Sequence, residues 1–74
     1  SMIEKMRAEI EALGDRVTDL HVWRIGSARF AAMLSVLTDD AKEPGHYKQR
    51  LRHLADLVHV TVEVHARGTT RTEA

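Results

Sequence analysis

The 74-residue sequence contains no cysteine, which removes disulfide staples, thiolate zinc fingers and cysteine nucleophiles at once. Aromatic residues are scarce, one Trp, one Tyr and one Phe. They leave no paired aromatics on neighbouring strands of the kind that stack RNA bases. Neither sign of charge prevails, because eleven Lys and Arg balance eleven Asp and Glu. Such a balance exerts no long-range pull on nucleic acid and argues against a polybasic membrane anchor. No apolar run approaches the ~18 residues of a membrane span. The opening Ser1-Met2 lacks the charged and apolar regions of a signal peptide and reads as the remnant of a cleaved tag. Nor is there a Gly-x-Ser-x-Gly elbow, a Gly-rich phosphate loop or a His-Glu-x-x-His helix. A small domain with a shallow sheet face offers no enclosed pocket, so the chain is not expected to be an enzyme.

What is present is the composition of a folded module, 43% apolar and 30% charged. A chain of this length buries only about 60% of its unfolded surface, which leaves a thin core. Small unstapled cores gain stability from dimerisation or from a metal, and five histidines make a metal a candidate.

Residues 2–13 place Ile3, Met6, Ile10 and Leu13 three or four apart among charged neighbours, which predicts an amphipathic helix ended by Gly14. Residues 16–25 are rich in β-branched and aromatic types. Gly26-Ser27 offers a turn, and Phe30 to Thr38 gives a second run, so a hairpin is predicted. Pro44-Gly45 precedes a second helix from His46, with Tyr47, Leu51, Leu54 and Val58 on one face. Residues 58–66 then alternate, Val58, Val60, Val62 and Val64 against His59, Thr61, Glu63 and His65, the pattern of a half-buried strand. The expectation is an α+β domain over residues 1–68, a ferredoxin-like α-β-β-α-β open sandwich with both helices on one face of a three-stranded sheet. Residues 69–74 carry no large apolar side chain and are expected to be a flexible tail.

On the first strand Asp19, His21, Trp23 and Ile25 oppose Leu20 and Val22, while the second strand is apolar on both faces. A sheet covered on one side only should be polar on the other. Trp23 on that bare side therefore suggests a homodimer interface, the alternative being that it wraps a sheet edge within one chain. His21 shares a face with Trp23, and Glu63 and His65 share one on the last strand. If the first and last strands meet, these three donors can converge. His46 opens the second helix and is free to swing toward a sheet edge. Imidazoles with a carboxylate suit Zn²⁺, and Co²⁺, Ni²⁺ and Cd²⁺ fit as well. His53, near Asp56, reads as an exposed polar position, and for His59 ligation stands beside packing at the strand end.

Three segments carry a family resemblance: Asp19-Leu20-His21-Val22-Trp23-Arg24-Ile25-Gly26, His46-Tyr47-Lys48, and His59-Val60-Thr61-Val62-Glu63-Val64. Together they resemble the cytoplasmic C-terminal domain of cation diffusion facilitator metal transporters, over about residues 3–66. The cobalt- and nickel-exporting branch is the nearest. The resemblance implies a membrane domain of six helices in the same chain, preceding Ser1 and exporting divalent metal in exchange for protons. It also implies a cytoplasmic V-shaped homodimer closed by metal at its interface, with the fragment alone soluble. His21 and His46 match ligand positions of described members. On the last strand some members carry histidine then a carboxylate two residues on; here the order is Glu63 then His65. Leu34 stands where some members have histidine, so one metal per subunit, or a site shared across the dimer axis, is expected.

Overall fold

The structure, a computed structural model, describes residues 1–68. Its elements are α1 (Met2–Glu11), β1 (Arg16–Gly26), β2 (Arg29–Thr38), α2 (Pro44–Arg50) and β3 (Leu57–Ala66). The tail expected at residues 69–74 lies outside the described residues.

Helix α1 starts on a reciprocal cap. The Ser1 hydroxyl accepts from the Glu4 amide at 3.3 Å, and the Glu4 carboxylate takes the terminal ammonium at 3.2 Å. The predicted stripe is narrower than its spacing suggested. Met6 and Ile10 are fully buried, whereas Leu13 lies beyond the helix end and is exposed. The helix is tied to β1 at two points, since Arg7 Nη1 donates to the Val17 carbonyl at 3.1 Å and the Val17 amide donates to Glu11 Oε2 at 2.9 Å.

Strands β1 and β2 pair antiparallel across the turn at Ser27-Ala28, with Gly26 opposite Arg29. Strands β2 and β3 pair parallel, and α2 supplies the crossover that parallel neighbours require. The sheet order is therefore β1-β2-β3. The central place of β2 accounts for its two-sided apolarity: Ala32, Leu34 and Val36 are buried on one face and Ala31 on the other.

The second helix is shorter than its apolar period predicts. It ends at Arg50, and tight turns follow, Leu51 N to Lys48 O at 3.1 Å, Leu54 N to Leu51 O at 3.0 Å and Leu57 N to Leu54 O at 2.9 Å. Those turns keep Tyr47 and Leu51 buried and Leu54 partly buried, so the spacing of a helix is fulfilled without a continuous one. The chain leaves the helix because Leu57 must enter the sheet, where the Asp56 carbonyl accepts from the Phe30 amide at 2.8 Å.

Met6 and Ile10 of α1, Tyr47 of α2 and Leu51 just beyond its end join Leu34 and Val36 in one cluster. Both helices thus cover the same sheet face, in an α+β domain with a three-stranded mixed sheet. Each such buried aliphatic side chain contributes about 1.5–3 kcal/mol over leaving it in water. Among the described residues no helix is long and apolar enough to cross a membrane.

Candidate metal centre

Two bulges aim the chemistry-bearing side chains. In β1, Val17 pairs with Val36 but Asp19 pairs with Ser35, so Thr18 is an extra residue. Its hydroxyl donates to the Ser35 carbonyl at 3.3 Å. Without that insertion Asp19, His21 and Trp23 would share the face of buried Val17. In β3, Leu57 pairs with Phe30 and His59 with Ala31, which makes Val58 the extra residue and leaves it exposed. The predicted alternation of valines accordingly holds from Val60 to Val64 and fails at Val58.

The face away from the helices is built in rows. Asp19, Ser35 and Glu63 lie abreast, then His21, Met33 and Thr61, then Trp23, Ala31 and His59. Trp23 is 47% exposed and Met33 45%, a half-open apolar centre flanked by ionisable groups.

Each edge of this face carries a histidine–carboxylate pair two residues apart. His21 Nε2 lies 3.0 Å from Asp19 Oδ1, and His65 Nε2 lies 2.8 Å from Glu63 Oε1. The Ser35 hydroxyl donates to the same Glu63 oxygen at 3.2 Å. The hydrogen bond from His65, then that from Ser35, hold the Glu63 carboxyl below its ordinary range. From sequence Asp19 was placed on the His21 face but not counted among the donors, although Asp19-x-His21 repeats the spacing of Glu63-x-His65, and Ser35 was not singled out at all.

His21 and the Glu63–His65 pair share a face, but β2 stands between their strands. Two strand spacings amount to about 9–10 Å. The convergence expected if β1 and β3 were neighbours does not form within one chain, and among the described residues no three His, Asp or Glu side chains gather as a metal-binding group. His46 lies elsewhere. Its ring meets Tyr47 edge-on at 5.1 Å and lines a cleft of about 230 Å³ with Leu13, Asp15, Asp40, Lys42 and Arg50. The Asp40 carboxyl there is held low by its hydrogen bond and charge pairing with Lys42, and further by His46. His53 is exposed as expected, but it pairs with Glu9 on α1 at 3.1 Å.

Each edge pair offers one imidazole nitrogen and one carboxylate, half of what a tetrahedral divalent cation requires. A cation held at either pair would need its remaining donors from outside the single chain or from solvent. No protein-family model matches the chain, and neither curated proteins nor solved structures give a match.

Proposed function

We propose that this domain is the cytoplasmic metal-sensing and dimerisation module of a divalent-cation exporter of the cation diffusion facilitator type, and that its α-β-β-α-β order is a ferredoxin-like open sandwich. The reading assigns no reaction to the chain. The observation that carries it is the open sheet face, where exposed Trp23 and Met33 lie between two imidazole–carboxylate pairs. The resemblance of the His21-Val22-Trp23 and His59-Val60-Thr61 segments to that family points the same way.

Without metal, the Glu63 carboxylate is held in its ionised form by hydrogen bonds from His65 and Ser35. A Zn²⁺ ion, or Co²⁺, Ni²⁺ or Cd²⁺, takes over those donors and adds others from a second copy. It favours the joined arrangement by the difference in its affinity for the two states. Passed to the membrane domain of the same chain, that shift raises export when cytoplasmic metal is high. Acidification weakens the site, because imidazolium cannot ligate.

Zinc titration of metal-free protein, followed by Trp23 fluorescence, tests the reading. His65→Ala and Glu63→Gln should each weaken binding by about tenfold or more, the range seen when metal-site donors or their supports are removed. His21→Ala reports whether the β1 pair takes part. Unchanged affinity in all three removes these residues from any metal site.

A second reading is a dimerisation module without physiological metal, favoured by the fact that His21, His53 and His65 already lie against carboxylates within the chain. Calorimetry without zinc heat, together with a dimer indifferent to chelator, would select it.

A further inference from the structure

We infer that two copies of the chain join antiparallel along the outer edges of β3, about an axis at Thr61, and that this seam builds a divalent-metal site from Glu63 and His65 of one copy and His59 of the other. The inference rests on the reading above that metal ties two copies together, and it supplies the donor a single chain lacks.

The outer edge of β3 is open. From Val58 to His65 the only backbone partners are in β2, and among the described residues no turn, helix or side chain hydrogen-bonds the other side. Proteins protect such edges with proline, lysine, bulges or short strands. Leu57–Ala66 contains no proline, lysine or glycine, and its one irregularity lies at its start. Strand β1, the other edge, carries two register shifts and the charged Arg16 and Arg24. Of the two edges, β3 is the one left fit for pairing.

The sequence of β3 is complementary to itself about Thr61. In that register Thr61 faces Thr61, Val60 faces Val62, His59 faces Glu63 and Val58 faces Val64. Directly opposite residues of an antiparallel pair point to the same side, so Val60, Val62 and Val64 extend the core face, while Val58 is the exposed extra residue of the bulge. Val60 and Val64 are only partly buried there in the single chain. Centring the pair on Val62 instead sets His59 against His65, two like groups when protonated. The Thr61 register sets imidazole against carboxylate and is the better matched.

The metal site follows from that register. Opposite side chains have Cβ atoms about 4.5–5.5 Å apart, and diagonal ones about 7–8 Å. His59 therefore arrives directly across from Glu63 and diagonal to His65, which already contacts Glu63 at 2.8 Å. Two nitrogens and a carboxylate oxygen at about 2.0–2.2 Å, completed by water, satisfy zinc. The axis generates two such sites per dimer, and His21, at the far edge of each sheet, belongs to neither.

Because the chain has no cysteine, single-cysteine variants report the seam directly. Thr61→Cys should form a disulfide-linked dimer under mild oxidation, since Cβ atoms across the axis need only a small approach to bond. Met33→Cys, exposed in the middle of the open face, should not. For the metal, His59→Ala should lower zinc affinity by about tenfold or more and His21→Ala by less than about twofold. Decisively, an equimolar mixture of His59→Ala and His65→Ala chains should regain binding that neither shows alone. Each mixed dimer holds one intact set, whereas a site confined to one chain cannot be rescued. A mixture without rescue, or crosslinking through Met33→Cys instead of Thr61→Cys, overturns the seam. Wild-type protein that takes up no zinc overturns the sensor reading and this metal site, and the Thr61→Cys crosslink then decides the edge pairing alone.

Discussion

A carboxylate stabilised in its ionised form by neighbours titrates at lower pH in the folded chain than in the unfolded one, and Glu63 is such a group. His65 is the larger cause and Ser35 the second. As pH falls through the ordinary carboxylate range the unfolded chain takes up a proton that the folded chain still refuses, so stability declines. The contribution is complete above the unfolded value and lost as pH passes the lower folded value. Urea unfolding of wild type and Glu63→Gln between about pH 7 and pH 3 should therefore show the largest difference at the neutral end and convergence at the acid end. Asp40 is held low by Lys42 in the same direction, so the variant should keep part of its acid sensitivity. A difference independent of pH would mean that Glu63 gains nothing from its ionised contacts.

At the scale of elements, the hairpin turn carries the one non-glycine residue among those described with a left-handed backbone, Ala28 at φ +54°. An L residue there costs roughly 1–2 kcal/mol against its Cβ, while glycine returns about 0.4–1 kcal/mol through the freedom of the unfolded chain. Ala28→Gly should thus raise stability by up to about 1.5 kcal/mol in denaturant unfolding, with the slope unchanged. Where such local geometry decides, the sequence was informative: the Val60–Val64 alternation, the spacing of Met6 and Ile10 and the two-sided apolarity of β2 all name their elements. Four things were not legible. The extra residues Thr18 and Val58 leave no mark in composition, yet Thr18 puts Val17 on the opposite face from Asp19, His21 and Trp23, and Val58 breaks the alternation of β3. The spacing of Tyr47, Leu51 and Leu54 is the same for a helix as for a short helix followed by tight turns. Strand order is non-local, so the Glu63–His65 contact could be read from an interval of two, whereas the separation of His21 from it could not. The position of His46 at a helix start was readable, but not that the helix would carry it away from the open face.

For the whole molecule the question is whether one copy suffices. Among the described residues ten apolar side chains are buried, two of them alanines, while Trp23 and Met33 stay half exposed and the outer edge of β3 from Val58 to His65 pairs with nothing in the chain. A core this small leaves little margin over conformational entropy, and pairing β3 to β3 adds backbone hydrogen bonds and covers Val60 and Val64. Folding and association should then be linked, so the melting temperature should climb with protein concentration over a hundredfold range in a calorimeter. Zinc at about 100 times its Kd should add about 2.7 kcal/mol, a rise on the order of 10–20 °C for a domain of this length. Chelator should abolish the zinc increment and leave the concentration dependence in place, because the strand edges pair through their own backbone groups. A melting temperature that ignores concentration in both conditions would mean that the single chain is stable alone, and the open edge would need another occupant.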